Sequence, residues 1–309
     1  MDLDRVTAFV AAADRMSFTV AAEELGLAQP SVSARIRALE NDLGVELFSR
    51  RRRQVELTQA GREFLRHART MLALTERAVR DTRRAAGSAD PQRLTITTLA
   101  AGIDELKAGL VVSLDRELPA ARVSLTAVPF VDHVSTVRRG VAQAGYLWPP
   151  YTRAATAGLH VEPLRAYPRL LAVAAGHPLA DRRDLGVDDL ARESQVALPD
   201  GVDPVFVRTW RLLPHAPVSR AAPAADVAAL LRTVAAGGGC AVVPALLART
   251  AALPGVAFVP LRGVPAATLA LAWRRDLPAA LDATLRRAVR DGRAATSRDR
   301  DSSPDAVIP

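Results

Sequence analysis

The stretch SFTVAAEELGLAQPSVSARIRAL, residues 17–39, decides how this chain is read. Ser17 is placed to cap a helix running to Leu25, because its hydroxyl can accept from the free N–H groups of the first turn. Gly26 ends that helix. Pro30 falls just inside a second helix, where a missing N–H is harmless. In that helix Val32, Ile36 and Leu39 recur at helical spacing and face inward. Gln29, Pro30, Ser31, Ser33 and Arg37 then face outward. Helix, glycine-containing turn, helix with a polar outer face is the logic of helix-turn-helix DNA binding. The residue types suit a groove. Gln29 can pair bidentately with adenine, Ser31 and Ser33 can bond phosphate or base, and Pro30 can meet a thymine methyl. The helix N-terminus itself favours phosphate.

The flanking sequence extends this unit. Upstream, Leu3, Val6, Phe9, Val10 and Ala13 share one helical face. Downstream, Leu47-Phe48, the arginine run 50–53 and Val55-Glu56-Leu57 read as a short hairpin, or wing. Arg50 and Arg53 at its tip suit the minor groove or the flanking backbone. Residues 1–58 hold eight arginines and nine carboxylates, so the DNA reading rests on arrangement and not on net charge.

Thr58 can cap a long helix in which Phe64, Ala68, Met71, Thr75, Ala78 and Thr82 alternate spacings of four and three, a coiled-coil-like seam. Such a seam either packs on its own domain or pairs with an identical chain. Gly87-Ser88-Ala89-Asp90-Pro91 reads as a linker.

From Arg93 the pattern becomes strands alternating with helices. Strands are expected at 94–98, 122–128, 170–174, 195–198, 240–243, 257–261 and 268–273. Helices are expected at 103–116, 131–139, 225–236 and 278–290. This alternation implies a mainly parallel sheet covered by helices, and the length allows two α/β lobes with a cleft between them. The expected organisation is a winged helix-turn-helix over 1–58, a linker and dimerisation helix over 59–88, an effector domain over 89–292 and a disordered tail over 293–309.

The 309 residues carry 41 basic and 33 acidic side chains, a formal charge of +8, and Lys107 is the one lysine. The single cysteine, Cys240, excludes an internal disulfide and a thiolate metal cluster. With no signal-peptide pattern at the N-terminus and no apolar run of membrane-spanning length, a cytoplasmic protein is expected. Five scattered histidines lack ligand spacing, so no metal is expected. Gly237-Gly238-Gly239 follows a helix and precedes a strand, the reverse of a dinucleotide loop. No Gly-x-Ser-x-Gly element or Ser/His/Asp set stands out, so no enzyme and no cofactor are expected.

Residues 1–86 resemble the N-terminal part of LysR-type transcriptional regulators. The resemblance is carried by Phe9, Ala13, Ser17-Phe18-Thr19, Ala21 to Leu25, Gln29 to Ser33, Ile36, Leu39-Glu40, Leu43-Gly44, Leu47-Phe48, Arg50, Leu57-Thr58 and Gly61. Weaker landmarks follow at 158–164, His177-Pro178-Leu179-Ala180 and 234–244. The resemblance implies an α+β multidomain chain: a winged helix-turn-helix, a dimerising linker helix and a two-lobed effector domain like a periplasmic binding protein. It implies double-stranded promoter DNA, a small-molecule effector and a homodimer or homotetramer, with no membrane partner. Effector contacts are expected at Thr98, Leu99, Phe130 and Val131. Several positions depart from the family. Val20 stands where a basic residue is common, and Ala34 where a longer polar side chain is frequent. Leu99 replaces a common hydroxyl, Ala142-Gln143 a usual Leu-Asp pair, and Phe130-Val131 a Gly and Ser/Thr loop. These changes imply a bulkier or less acidic effector. An effector-blind DNA-binding protein, or an enzyme with a helix-turn-helix docking module, are the alternatives.

Overall fold

The computed structural model of the chain describes residues 2–49, 55–85, 93–100, 114, 116, 122–213 and 215–301. Two compact units are present, Met1–Asp90 and Pro91–Pro309.

The first unit opens with α1 (Leu3–Arg15), α2 (Phe18–Leu25) and α3 (Gln29–Leu43). Each boundary has a local cause. Asp2 accepts from Arg5 N at 2.9 Å and Ser17 from Val20 N at 3.3 Å, satisfying first-turn donors. Gly26 and Gly44 adopt φ of +63° and +69° and terminate α2 and α3, a conformation that glycine reaches without a Cβ penalty. Two short antiparallel strands follow, β1 (Phe48–Ser49) and β2 (Glu56–Leu57), with Phe48 opposite Leu57. The wing is therefore a hairpin; its tip, including Arg50 and Arg53, lies outside the described residues.

Helix α4 runs Gln59–Ala85. Thr58 caps it, its hydroxyl accepting from Gly61 N at 2.9 Å and donating to Glu46 O at 2.7 Å. The core joins α1, α3, the wing and the start of α4. Phe9 packs on Phe48 and Phe64 with ring centroids 5.5 and 5.3 Å apart. Val6, Ala8, Ala12, Val32, Ile36, Leu39 and Ala68 are all but fully buried. Leu3, expected on the inner face of α1, is exposed, because the buried stripe is centred on Ala8, Phe9 and Ala12.

The second unit contains two sheets. Strands β3 (Arg93–Thr98), β4 (Arg122–Ala127), β5 (Ala144–Leu147) and β6 (Leu159–Tyr167) come first. Then come β7 (Arg169–Ala174), β8 (Ala241–Pro244), β9 (Val256–Pro260) and β10 (Ala267–Arg274). The first sheet has the order β4-β3-β5-β10-β6, with β3 parallel to β4 and β5, and β10 antiparallel to β5 and β6. The second, β8-β7-β9, is antiparallel throughout. Among the described residues the helices are α5 (Ser135–Arg138), α6 (Pro204–Arg211), α7 (Val227–Ala235), α8 (Ala245–Thr250) and α9 (Ala279–Asp301), while most of the helix expected at 103–116 lies outside the described residues.

Two lobes are therefore present, but the mainly parallel sheet expected from the sequence is not. Strand–helix alternation gives parallel strands only when each connection is a helical crossover. Here β6 passes into β7 through Pro168 alone, changing sheets, and β9 leads to β10 without a helix. The expected strand at 195–198 is also corrected. Gln195 makes single parallel bridges to Val218 and Cys240. Pro217 has no N–H with which to extend the ladder. Helix α9 continues past Arg293, where the sequence reading begins a tail, as far as Asp301. No proline interrupts it before Pro304. At the other end, Trp273 donates to Asp282 at 2.7 Å and Arg286 to the same carboxylate at 2.9 Å, fastening α9 to β10. No helix among the described residues is long and apolar enough to cross a membrane.

Candidate functional site

The first site is the outer face of α3. Gln29, Pro30, Ser31 and Arg37 are exposed and Ser33 is half-buried, while Val32, Ile36 and Leu39 on the opposite face are sealed in the core. Gln29 Nε2 donates to Ser33 Oγ at 2.8 Å, so the two side chains form one polar surface. The helix N-cap is Ala28, which offers no side-chain acceptor, and Pro30 sits in the first turn. Pro30 brings no N–H, and Ser31 N and Val32 N donate to Ala28 O at 2.9 and 3.3 Å, so what this helix end offers an anion is chiefly its dipole. Thr19 and Val20, in the first turn of α2, are also exposed.

This face is held to the wing by a residue whose role the sequence reading missed. Glu40, buried near the end of α3, accepts from Leu47 N at 2.8 Å and Phe48 N at 3.1 Å. In the sequence it looks like any charged residue on a solvated helix. Only the return of the chain at Leu47 makes it an internal acceptor. The start of α4 is equally close. A Cβ on Gly61 would lie 2.0 Å from Leu47 O.

The expected seam of α4 divides in two. Phe64, Ala68 and Met71 pack into the unit's own core. Farther along, Leu74, Ala78, Val79 and Thr82 are exposed.

The second site lies between the two sheets of the second unit. A cavity of about 60 Å³ is walled by Leu99, Phe130 and Trp148 from the first lobe and by Gln195, Trp210 and Val243 from the second, among others. A neighbouring cleft of about 330 Å³ has Val131, Ser135, Arg138, Tyr151 and Asp203 on its walls. Phe130 and Phe206, with centroids 6.4 Å apart, border both spaces. Of the residues expected to meet an effector, Leu99 and Phe130 line the inner cavity, and Phe130 and Val131 the outer cleft. Thr98 lines neither; it is buried, and its hydroxyl has no hydrogen-bond partner. Gln195, Phe206 and Trp210 were not foreseen, because they join the site only through folding of distant segments.

The electrostatics of the outer cleft follow from its neighbours. His133 is fully buried, and burial pushes its imidazole down to about 4, against the opposing influence of its bond to Tyr146. Its Nε2 lies 2.7 Å from Tyr146 O and its Nδ1 3.0 Å from the Tyr151 hydroxyl. A neutral ring with the proton on Nε2 satisfies both. Tyr151 stacks on Phe206 at 5.4 Å, and burial raises its phenol. Burial alone would raise the Asp203 carboxyl. Hydrogen bonds from Thr152 and from the N–H groups of Phe206 and Val205 outweigh burial and hold it below the ordinary range. Cys240, beside the inner cavity, is buried in strand packing, and desolvation pushes its thiol up to about 12. Among the described residues no group of three His, Cys, Asp or Glu side chains is placed to hold a metal ion.

Comparison with known proteins agrees with both halves. Residues 3–62 match the bacterial regulatory helix-turn-helix protein, lysR family, and residues 88–293 match the LysR substrate binding domain. The chain is 31% identical over 298 residues to the HTH-type transcriptional regulator IlvR of Caulobacter vibrioides, covering 95% of this chain and 99% of that protein. It is 36% identical over 255 residues to TfdS of Cupriavidus pinatubonensis, covering 80% and 84%. Among solved structures, CbnR, a LysR family transcriptional regulator, is similar with a TM-score of 0.56 and 26% identity, over 94% of this chain and 99% of that one. The chain belongs to the LysR family: it is a helix-turn-helix transcriptional regulator with an effector-binding domain of two α/β lobes.

Proposed function

We propose that this regulator reads its operator with Gln29, Pro30, Ser31, Ser33 and Arg37 in the major groove. Arg50 and Arg53 engage the minor groove or the flanking backbone. A second copy of the chain docks along the exposed half of α4, giving two dyad-related half-sites in a dimer or tetramer. The observation that carries the reading is the division of α3: Val32, Ile36 and Leu39 hold one face in the core while Gln29, Ser31 and Arg37 are exposed on the other.

In the second unit, a mostly apolar small molecule binds between the lobes against Leu99, Phe130 and Val131. Its differential affinity for two lobe arrangements biases the DNA-bound form. The wall chemistry supports an apolar effector, since Leu99, Phe130, Trp148, Trp210 and Val243 dominate the inner cavity. A thiol switch is disfavoured, because Cys240 is buried, its ionisation is suppressed and the chain has no second cysteine. We infer a cytoplasmic location and no catalytic role.

The test is fluorescence anisotropy with DNA from the region upstream of the coding sequence, using wild-type chain and Gln29→Ala. The expected result is sequence preference in the wild type that relaxes in the variant. Unchanged affinity and preference in Gln29→Ala would remove α3 from the groove.

A further inference from the structure

One carboxylate in the second unit serves donors from both lobes. Asp203 caps α6, which packs on β8 of the second sheet. Its Oδ1 accepts from Val205 N at 3.0 Å and Phe206 N at 3.2 Å, and a helix cap asks for no more than that. The other oxygen is engaged across the boundary. Oδ2 accepts from Thr152 Oγ1 at 2.7 Å and from Thr152 N at 3.1 Å. Thr152 lies between β5 and β6, two strands of the first sheet. It is fixed as a donor. Its Oγ1 accepts from Ala155 N at 3.2 Å, so its one hydroxyl proton goes to Asp203. Its carbonyl accepts from Thr156 N at 3.3 Å. The turn 152–156 of one lobe and α6 of the other therefore begin on a shared cap.

Rings from the two lobes meet beside this cap. Tyr151, next to Thr152, stacks on Phe206 with centroids 5.4 Å apart and planes 6° apart. Trp148 meets Trp210 edge-on at 6.2 Å. Tyr151, Asp203 and Phe206 all line the outer cleft. A backbone bond from Phe130 N to Ala225 O at 3.0 Å joins the lobes at another point, and no side-chain substitution removes it. Apolar packing is non-directional and tolerates sliding. Bonds to a carboxylate are directional and charge-assisted, so they set where the lobes meet.

We propose that Asp203 is a latch between the lobes: it holds the outer cleft closed through Thr152, and the lobes part there only when those bonds are released. The inference rests on the reading of the two lobes as the effector-responsive part of the chain. It adds the contact that resists a change in their arrangement.

The experiment compares full-length wild type with Asp203→Asn, Thr152→Val and the double variant, all without ligand. The readouts are tryptophan emission and hydrogen exchange over 152–156 and 204–211. Asparagine caps a helix as well as aspartate does, so Asp203→Asn keeps α6 but sets an amide N–H2 against the Thr152 N–H. Thr152→Val leaves the α6 cap untouched and carries the test if Asp203→Asn does not fold. The expected result is exchange over 152–156 faster by about tenfold, the factor one lost hydrogen bond makes, with protection over 204–211 retained. Emission moves to longer wavelength in both single variants, as Trp148 and Trp210 gain water. The double variant goes no further than the larger single effect, since the two residues share one contact. Unchanged emission would overturn the latch, because ring packing alone would then hold the lobes. Additive effects in the double variant would also overturn it. So would lost protection over 204–211 in Asp203→Asn with no effect of Thr152→Val, which would leave the carboxylate a helix cap. No ligand is present, so each of these failures leaves the effector reading standing.

Discussion

Glu40 Oε1 lies 2.8 Å from Leu47 N and accepts its hydrogen bond in a buried position, so α3 is tied directly to the start of the wing that follows it. The same oxygen accepts from Phe48 N at 3.1 Å. Removing the acceptor leaves two buried N–H groups unpaired, each destabilising by about 1–3 kcal/mol. Glu40→Ala is therefore expected to lower the unfolding free energy of the DNA-binding unit by at least about 2 kcal/mol, with Glu40→Gln intermediate. Urea titration of the full chain measures this.

Gly61 is needed for its lack of volume. A Cβ there would sit 2.0 Å from Leu47 O, and the clash is with backbone, which cannot swing aside. Gly61→Ala is expected to destabilise by at least about 3 kcal/mol or to displace α4. Gly26, at φ +63° with no atom within 4 Å of an added Cβ, is different. Gly26→Ala should lose about 1 kcal/mol through backbone strain alone. A comparison of the two melting curves separates crowding from conformation.

His133 gives the fold a pH dependence of known sign. The folded state keeps the imidazole neutral down to about pH 4, whereas the unfolded chain protonates near 6.5. The unfolded state therefore binds the extra proton first, and stability falls as pH drops from about 6.5 towards about 4. The contribution is roughly 3 kcal/mol across that window. Unfolding free energies at pH 7 and pH 5 should differ less in His133→Asn than in wild type.

Much of the first unit is legible in the sequence, because its determinants are local. Ser17, Gly26, Pro30 and the 32/36/39 spacing each act within one or two turns. The second unit is less legible. Strand β6 escaped because Pro163 and Arg165 look like loop residues; the strand tolerates them at the sheet edge, beside a register shift at Leu269/Ala270. The cleft and its Leu99 and Phe130 are legible, but Gln195, Phe206 and Trp210 are not, because they meet those residues only after both sheets close. Trp148 walls the inner cavity, and Tyr151 is stacked on Phe206 beside the outer cleft.

Groove and backbone contacts should respond differently to mutation. Arg37→Ala is expected to weaken operator binding by about 1–3 kcal/mol and to relax base preference. Arg53→Ala should weaken native and unrelated DNA alike and lower the salt slope by about one. Anisotropy at several salt concentrations distinguishes them.

Sequence-specific DNA binding is tested most directly by anisotropy of the full-length chain on native upstream DNA against a scrambled duplex, across a salt series. A preference for the native duplex that persists as salt rises is the expected result. Equal affinity for both at every salt concentration would contradict it.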